Sequence, residues 1–341
     1  MPDRRAVLAS LVAGVFAPVA RAADGDDFYR DKTITIVVGY GPGGGFDLYA
    51  RLLAEHLPAH LPGLRGVIVS NMPGASSLKA AGYLASIAPQ DGTVLAIVNE
   101  SVPLMPIVDP KNIDFDPSRL RWIGRLGVRP SMGVVWHTTG IRDIAGARGK
   151  SPALGCIANT DYSYHVLRAV NAIAGTGFRP VLGYPGTPEI LLAMERGEVD
   201  GLSFAPADEI LTGARAKWPA EGKIAALFVN SLKRLPEFPA TPTLVELAGN
   251  DEDRAIMRFL ATKIEIGRSF MAGPGVPAAR IATLRKAFDA VARDERLIAG
   301  AAKRNIDVSA LSGEDLSKLV GAAVDIPDAL ARRIRVMVAP D

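Results

Sequence analysis

Cysteine is nearly absent from this chain: Cys156 is the only one among 341 residues. A single cysteine excludes an internal disulfide and a zinc site made of several thiolates. We expect Cys156 to be a small buried apolar residue rather than a nucleophile. A chain of this length buries enough apolar surface to fold without cross-links, and the length predicts two domains.

A large excess of one charge is absent as well. The chain has 39 Lys and Arg residues against 36 Asp and Glu residues. Residues 1–22 contain Arg4, Arg5, Arg21 and Asp3, so the remainder carries 36 basic and 35 acidic side chains and a net charge near +1. Nucleic-acid-binding proteins have a basic stripe or patch, and this balance predicts no nucleic-acid partner.

The apolar run at the N-terminus is too short to cross a membrane. It covers about 12 residues, from Ala6 to Ala17, whereas a spanning helix needs roughly 20. A basic start, a short apolar run and the small residues of the Ala20-Arg21-Ala22 triplet predict a signal peptide over residues 1–22. The adjacent arginines leave both the Sec and the twin-arginine export routes open. We expect an exported, soluble protein.

Strand and helix patterns alternate along the rest of the chain. The β-branched run at residues 33–38 predicts a buried strand, and residues 46–57 predict a helix that ends before Pro58. The alternation continues to residue 98 and resumes between residues 153 and 229. It predicts an α/β protein with two doubly wound, mostly parallel sheets. Ligands of such sheets bind beyond the carboxyl ends of the strands.

Residues 39–47, with the sequence GYGPGGGFD, are the most informative segment. Glycines let the backbone N–H groups approach a ligand closely, and the N-terminus of the following helix attracts an anion. Gly39, Gly41 and Gly44 fit the dinucleotide-binding fingerprint, but the second predicted strand ends at Asn71 without the required carboxylate. A purely structural turn is a further interpretation. We favour a small anion and expect no cofactor.

The other candidates for chemistry are weaker. His56 and His60 stand four residues apart, but Pro58 lies between them and no third ligand is evident. We therefore expect solvated histidines and no metal site. The sequence contains no nucleophile elbow, so an enzyme is not expected, and a secreted hydrolase is the main enzymatic alternative.

A series of short motifs resembles a known family. The first three are PGGGFD at residues 42–47, NMPGA at 71–75 and APQDGT at 88–93. Further matches are GYPGT at 183–187, GEVD at 197–200, PTLVE at 242–246 and AGPGVP at 272–277. Their order resembles the tripartite tricarboxylate transporter substrate-binding family, also called the Bug receptors, over about residues 31–320.

The resemblance implies a two-lobed periplasmic-binding-protein (Venus-flytrap) fold with a ligand cleft between the lobes. Residues 28–136 plus 268–341 would form the first lobe and residues 137–267 the second. It also implies a monomeric periplasmic receptor that captures a small organic carboxylate, or a related amide or amino acid, for the membrane subunits of a tripartite transporter. An orphan receptor that feeds a signalling partner is an alternative. The cleft is expected to use loop backbone groups more than cationic side chains.

The predicted ligand-binding residues lie on loops that precede helices or follow strands. The loop at residues 156–165 departs from the Gly/Ser-rich pattern of the family. It contains Asp161, which either caps the following helix or faces the ligand. In the second case the ligand would carry a cationic or amide end. Thr187 is predicted to be an N-cap, with Pro188 as the first helical residue, and also to face the cleft. The full set is Tyr40, Gly41, Gly43, Gly44, Gly45, Asp47, Asn99, Asn159, Thr160, Asp161, Tyr162, Ser163, Tyr184, Gly186 and Thr187.

Overall fold

The computed structural model contains two β-sheets, one of six strands and one of five. It describes residues 27–304 and 306–339, so the predicted signal peptide at residues 1–22 lies outside the described residues. Within these ranges, no helix combines the length and the apolar character needed to cross a bilayer.

The strands and helices follow one another along the chain in the following bounds. The strands are β1 (Thr33–Val38), β2 (Gly66–Asn71), β3 (Val94–Ile97), β4 (Arg121–Arg125), β5 (Ser131–Trp136), β6 (Ala153–Gly155), β7 (Arg179–Val181), β8 (Gly201–Pro206), β9 (Ile224–Val229), β10 (Ser269–Ala272) and β11 (Leu311–Ser312). The helices are α1 (Gly45–His60), α2 (Leu78–Ser86), α3 (Met105–Val108), α4 (Tyr162–Ala174), α5 (Thr187–Glu195), α6 (Ala207–Leu211), α7 (Asp251–Ile266), α8 (Ala278–Ala292), α9 (Glu295–Lys303), α10 (Gly313–Val324) and α11 (Asp328–Val338).

Most strands of each sheet run in one direction. The first sheet has the order β11-β4-β10-β3-β1-β2, and β1 pairs in parallel with both β2 and β3. Strand β10 lies antiparallel between β3 and β4, and β11 is antiparallel to β4. The second sheet has the order β7-β6-β8-β5-β9, with β6 parallel to β7 and β8 and with β5 antiparallel between β8 and β9. The predicted α/β class with mostly parallel sheets is confirmed.

Helices cover both faces of the sheets, as a doubly wound fold requires. Ile36 of β1 packs in one apolar cluster with α1 and α8, whereas the next residue, Val37, packs in another cluster with α2. In β5, Val134 belongs to a cluster with α5, and Val135 to the cluster that contains α4. Successive strand residues point to opposite faces, so a strand buried on both sides reads as a continuous apolar run.

The chain crosses between the sheets twice, at residues 126–130 and 267–268. Each crossing is next to an antiparallel strand, β5 after the first and β10 after the second. Strand β5 lies in the second sheet, although the predicted division after Trp136 assigns it to the first lobe. We therefore propose the lobe boundaries at the two crossings.

The two crossing segments are bonded to each other. The Arg268 N–H donates to the carbonyl of Gly127 at 2.8 Å, and the Leu126 N–H donates to the carbonyl of Arg268 at 3.1 Å. Gly267 has a φ of +54° and a Cβ there would collide with the Gly127 carbonyl. A glycine is required at this position because both the left-handed φ and the close approach exclude a side chain.

The C-terminal helices pack across both halves of the molecule. α10 contacts α7, and α11 contacts α4 as well as α3. One apolar cluster contains Leu167 of α4, Leu260 of α7, Leu316 of α10 and Ile334 of α11. This continuous core joins the helices of the two sheets.

The first helix departs from its prediction at the C-terminal end. α1 runs through Pro58 to His60, so the predicted end before Pro58 is wrong. Pro58 has no backbone N–H, so the last turn of α1 lacks one hydrogen bond although the helix continues to His60. His60 is also not simply solvated, because its Nε2 atom lies 2.8 Å from Oδ2 of Asp294.

Candidate ligand-binding site

The glycine loop, residues 39–44 between β1 and α1, presents backbone N–H groups to open space. A Cβ built at Gly41 or Gly43 would meet no heavy atom within 4 Å, and Gly43 has a left-handed φ of +84°. The N–H groups of Gly45 and Phe46, in the first turn of α1, have no acceptor among the described residues. Unpaired donors at a helix N-terminus form a site that favours an anion.

The carboxylate of Asp47 fixes the conformation of this loop through hydrogen bonds. It accepts hydrogen bonds from the Gly43 N–H at 2.8 Å, from Nδ2 of Asn71 at 3.0 Å and from Nε of Arg51 at 2.8 Å. The bond from Arg51 contributes most to lowering the pKa of Asp47 from 3.8 to about 2. Asp47 is 1% exposed, so its role in this geometry is to shape the loop that the ligand would contact.

Two of the predicted residues, Tyr40 and Asn99, meet beside the loop. Asn99 donates from Nδ2 to the Tyr40 hydroxyl at 2.5 Å, and its Oδ1 accepts the Ser101 N–H at 2.8 Å. The Tyr40 ring stacks on Phe46 with 4.6 Å between ring centres. Asn71 also donates to the Tyr40 carbonyl at 2.9 Å. These contacts join the loops that follow β1 and β3.

An ion pair that the sequence analysis did not include lies next to the glycine loop. Arg268, at the second crossing, pairs with Glu100, and the side chains of both are nearly buried. The Arg268 guanidinium carbon is 4.0 Å from the centre of the Phe46 ring. A Cβ at Gly45 would lie 3.8 Å from Nε of Arg268. Positive charge is therefore present at the N-terminus of α1, although the loop itself has no cation.

On the second sheet, Asp161 has the capping role that the sequence left open. Its Oδ1 atom accepts hydrogen bonds from the Ser163 N–H at 2.9 Å and the Ser163 hydroxyl at 2.6 Å. Tyr162 points into the interior and donates to the Leu260 carbonyl at 2.8 Å. Asn159 and Thr160 precede them on the loop, and Thr160 is exposed. Of this predicted group, Thr160 is exposed and Asn159 half-buried, whereas Tyr162 and Ser163 are buried.

A buried chain of hydrogen bonds supports the start of α4. The Ser203 hydroxyl donates to the Ser163 carbonyl at 2.5 Å, and Asn230 donates from Nδ2 to the Ser203 carbonyl at 2.9 Å and to the Ser131 hydroxyl at 3.0 Å. Buried networks of this kind hold one side-chain arrangement. Cys156 lies in the same region and is buried, as predicted, and burial raises the pKa of its thiol to about 12.

The third loop leads into α5 one residue earlier than predicted. Gly186 is the N-cap and Thr187 is the first helical residue, so the assignment of Thr187 as N-cap and Pro188 as first residue is wrong. The Thr187 N–H has no acceptor in the described part of the chain. Tyr184 is half-buried and its N–H lies 3.5 Å from the Cys156 carbonyl, which ties this loop to the one after β6.

Loops of the first and second sheets come close together, because Ser101 and Thr160 line the same small cavity. Burial raises the pKa of Tyr40 and of Tyr162, and the charge of Glu100 raises both further. Lys263, in the last turn of α7, is 8% exposed, and its ammonium lies 4.1 Å from the centre of the Tyr162 ring. Lys263 and Arg268 were not predicted as site residues, because neither belongs to a glycine-rich or capping motif.

The sequence of this chain is similar to that of a known protein family. The sequence family described as "Tripartite tricarboxylate transporter family receptor" matches residues 49–335. A UPF0065 protein from Bordetella bronchiseptica is 26% identical over 252 residues, covering 71% of this chain and 70% of that protein.

Two solved structures share the fold. A TctC solute-binding protein from Polaromonas, without ligand, has a TM-score of 0.68 and 20% identity and covers 91% of this chain and 99% of that chain. A protein from Rhodopseudomonas palustris with adipate has a TM-score of 0.61 and 20% identity, covering 90% and 97%. The predicted two-lobed solute-binding-protein fold is confirmed.

Replacing Asp47 by alanine should destabilise the protein without unfolding it. The substitution removes the acceptor for Gly43 and Asn71, so we expect the free energy of unfolding to fall by about 1–3 kcal/mol in denaturant titration. Glu314→Ala is the matched control, because Glu314 forms an exposed ion pair with Lys318 at 3.3 Å. The control should change stability by less than about 1 kcal/mol. Equal effects of the two substitutions would contradict the role given to Asp47.

The contribution of Asp47 should also depend on pH. Its pKa in the folded protein, about 2, lies below the ordinary 3.8, so ionised Asp47 stabilises the folded state above about pH 3.8. This contribution is lost as the pH falls through about 2. The stability difference between wild type and Asp47→Asn should therefore shrink by on the order of 2 kcal/mol between about pH 6 and pH 2. A difference that stays constant over this range would refute the assignment.

Proposed function

This chain belongs to the receptor family of the tripartite tricarboxylate transporters, and from that premise we propose that it is a periplasmic solute-binding receptor for a small organic carboxylate. The observation that carries the proposal is the pair of N–H groups of Gly45 and Phe46, which have no acceptor among the described residues and follow the glycine loop at the start of α1, beside the Arg268–Glu100 ion pair. Helix N-termini and guanidinium groups both favour negative charge. The loop offers no carboxylate of its own to a ligand, because Asp47 is buried beneath it.

The capping role of Asp161 supports a carboxylate rather than an amide or a cation. Its Oδ1 atom is occupied by two hydrogen bonds from Ser163, so the repulsion expected from a ligand-facing carboxylate is reduced. Asn159 and Thr160 add neutral polar side chains on the same loop. The Rhodopseudomonas palustris protein with the same fold holds adipate, a dicarboxylate. We propose dicarboxylates as the first ligands to examine.

Capture would occur by closure of one lobe on the other. A ligand held first by the glycine loop would gain contacts with the loops that precede α4 and α5 in the closed state. Only such additional contacts shift the population toward closure. Membrane subunits of a tripartite transporter would then bind the closed receptor, and the export signal at residues 1–22 would place it in the periplasm.

The mature chain, residues 23–341, should show a thermal shift with a small carboxylate. The panel contains mono-, di- and tricarboxylates, amino acids and their amides, measured by thermal unfolding. A ligand at a hundred times its dissociation constant adds about 2.7 kcal/mol to the stability of the folded state. Binding of amides alone would refute the carboxylate assignment, and silence across the panel would refute the receptor function.

A bulky residue in place of Gly44 should block the ligand while the fold remains. Gly44 has φ −77° and ψ 169°, and a Cβ there would meet only the Gly41 carbonyl, at 4.0 Å. Gly44→Leu should therefore cost the ligand-free protein no more than about 1 kcal/mol, from the less favourable N-cap. Binding of the best dicarboxylate, measured by calorimetry, should fall at least about tenfold.

Gly249→Leu is the matched control for this experiment. Gly249 is exposed, has no heavy atom within 4 Å of its Cβ position and directly precedes the N-cap of α7. It should leave binding unchanged. Unaltered binding by Gly44→Leu would show that the ligand does not contact the glycine loop.

A further inference from the structure

A small cavity of about 50 Å³ lies where the loop after β3, the start of α4 and the last turns of α7 meet. Its walls are largely apolar and include Leu104, Met105 and Phe259. Ser101, Thr160 and Lys263 supply its polar atoms, together with one histidine. Ser101 hydrogen-bonds Asn99, so this cavity adjoins the residues that hold the glycine loop.

Lys263 stands out among the buried cations of the described chain. Arg125 donates to the Glu265 carbonyl and side chain, and Arg268 pairs with Glu100. The Lys263 ammonium contacts the Tyr162 and Phe204 rings, at 4.1 and 5.2 Å, and it has no hydrogen bond or ion pair with the described residues. A residue that is 8% exposed thus carries an ammonium without an anionic partner.

Burying an unpaired charge is unfavourable, so such a group calls for a partner. Glu100 and Asp161 are close enough to favour the charged form of Lys263, but burial has the larger effect and lowers its pKa. Both carboxylates are bonded elsewhere, Glu100 to Arg268 and Asp161 to Ser163. Lys263 is therefore left without a direct anionic partner among the described residues, and a ligand carboxylate would supply one.

The other described residues that line the cavity add no charge to it. His165 lines it, and burial lowers the pKa of His165 to about 4, which leaves a neutral imidazole near pH 7. The hydroxyls of Ser101 and Thr160 can each donate a hydrogen bond. An ammonium, two hydroxyls and a neutral imidazole among apolar walls suit a carboxylate attached to a short apolar segment.

The volume limits what can enter. A cavity needs about 10–15 Å³ to hold one water molecule, so a cavity of about 50 Å³ holds a group of a few heavy atoms rather than a whole ligand. We propose that Lys263 binds one terminal carboxylate of a dicarboxylate ligand in this cavity, while the glycine loop binds the other, and that Lys263 thereby selects dicarboxylates over their monoamides. This inference rests on the proposed receptor function.

The selection follows from charge and hydrogen-bond chemistry. A carboxylate accepts a charge-assisted hydrogen bond from the ammonium, which is stronger than a bond between neutral groups. A monoamide can still accept a hydrogen bond from the ammonium through its amide oxygen, but that bond lacks the negative charge of a carboxylate. Its NH₂ group is a donor that the ammonium cannot accept, so the amide end satisfies the cavity less well than a carboxylate.

The test is calorimetric binding of succinate, glutarate, adipate and their monoamides to the mature chain. Wild type should bind its best dicarboxylate at least about tenfold more tightly than the corresponding monoamide. Lys263→Met removes the charge and keeps the length, so it should lose at least about tenfold in dicarboxylate affinity and bind the two ligands about equally. Lys150→Met, at an exposed lysine in the loop before β6, is the matched control and should match wild type.

Thermal unfolding of the ligand-free variants separates binding from packing. Removing an unpaired buried charge should leave the melting temperature of Lys263→Met equal to or above that of wild type. Lys263→Gln provides a second neutral variant, with the same expected loss of discrimination. A marked loss of stability in both variants would show that Lys263 serves the packing of the aromatic rings, and would overturn the proposal.

The remaining outcomes distinguish this inference from the receptor function. If Lys263→Met still binds the dicarboxylate and still prefers it over the monoamide, the role of Lys263 is overturned while the receptor function stands. If wild type binds neither these probes nor any compound of the wider panel, both the receptor function and the Lys263 subsite are overturned.

Discussion

The pairing of the two crossing segments is the constraint on which the site depends. Backbone hydrogen bonds between Arg268 and residues 126–127 hold the segments side by side, and Gly267 allows their close approach. This pairing brings the Arg268 side chain to the first turn of α1. It also directs the last turn of α7, with Lys263, toward the start of α4. Two cations far from the glycine loop in sequence are thus brought to the cleft by the same few backbone bonds.

The loops around the cleft are shaped by buried polar groups rather than by the groups that would meet a ligand. Asp47 holds the glycine loop, and Asp161 caps α4 while Ser203 supports the turn behind it. Asp47 accepts hydrogen bonds from Gly43, Asn71 and Arg51, and Asp161 accepts them from Ser163. These bonds engage both carboxylates and leave the unpaired backbone N–H groups at the start of α1 for recognition. A fixed set of donors costs no reordering when a ligand binds, which favours affinity.

Local sequence was informative where one segment sets its own structure. The β-branched run at residues 33–38 forms β1, and the alternation predicted between residues 153 and 229 is present as strands β6 to β9 with helices α4 to α6 between them. Strands β4, β5 and β10 were not predicted, because their short sequences mix charged, small and aromatic residues and gain their order from neighbours on both sides. The early start of α5, at Thr187, reflects the limited precision with which capping preferences fix a boundary.

The sequence by itself determined the α/β class, the ordered motifs of the family and the glycine-rich turn between β1 and α1. Those features depend on local propensity, on glycine conformation and on helix termini, which the chain carries in contiguous residues. Only the tertiary structure decided where β5 belongs, that Asp47 and Asp161 bond to neighbouring donors, and where Lys263 and Arg268 lie. The burial of Lys263 and Arg268 and the pairing of Arg268 with Glu100 arise from contacts between distant segments. Such contacts have no period or spacing in the sequence from which they could be predicted.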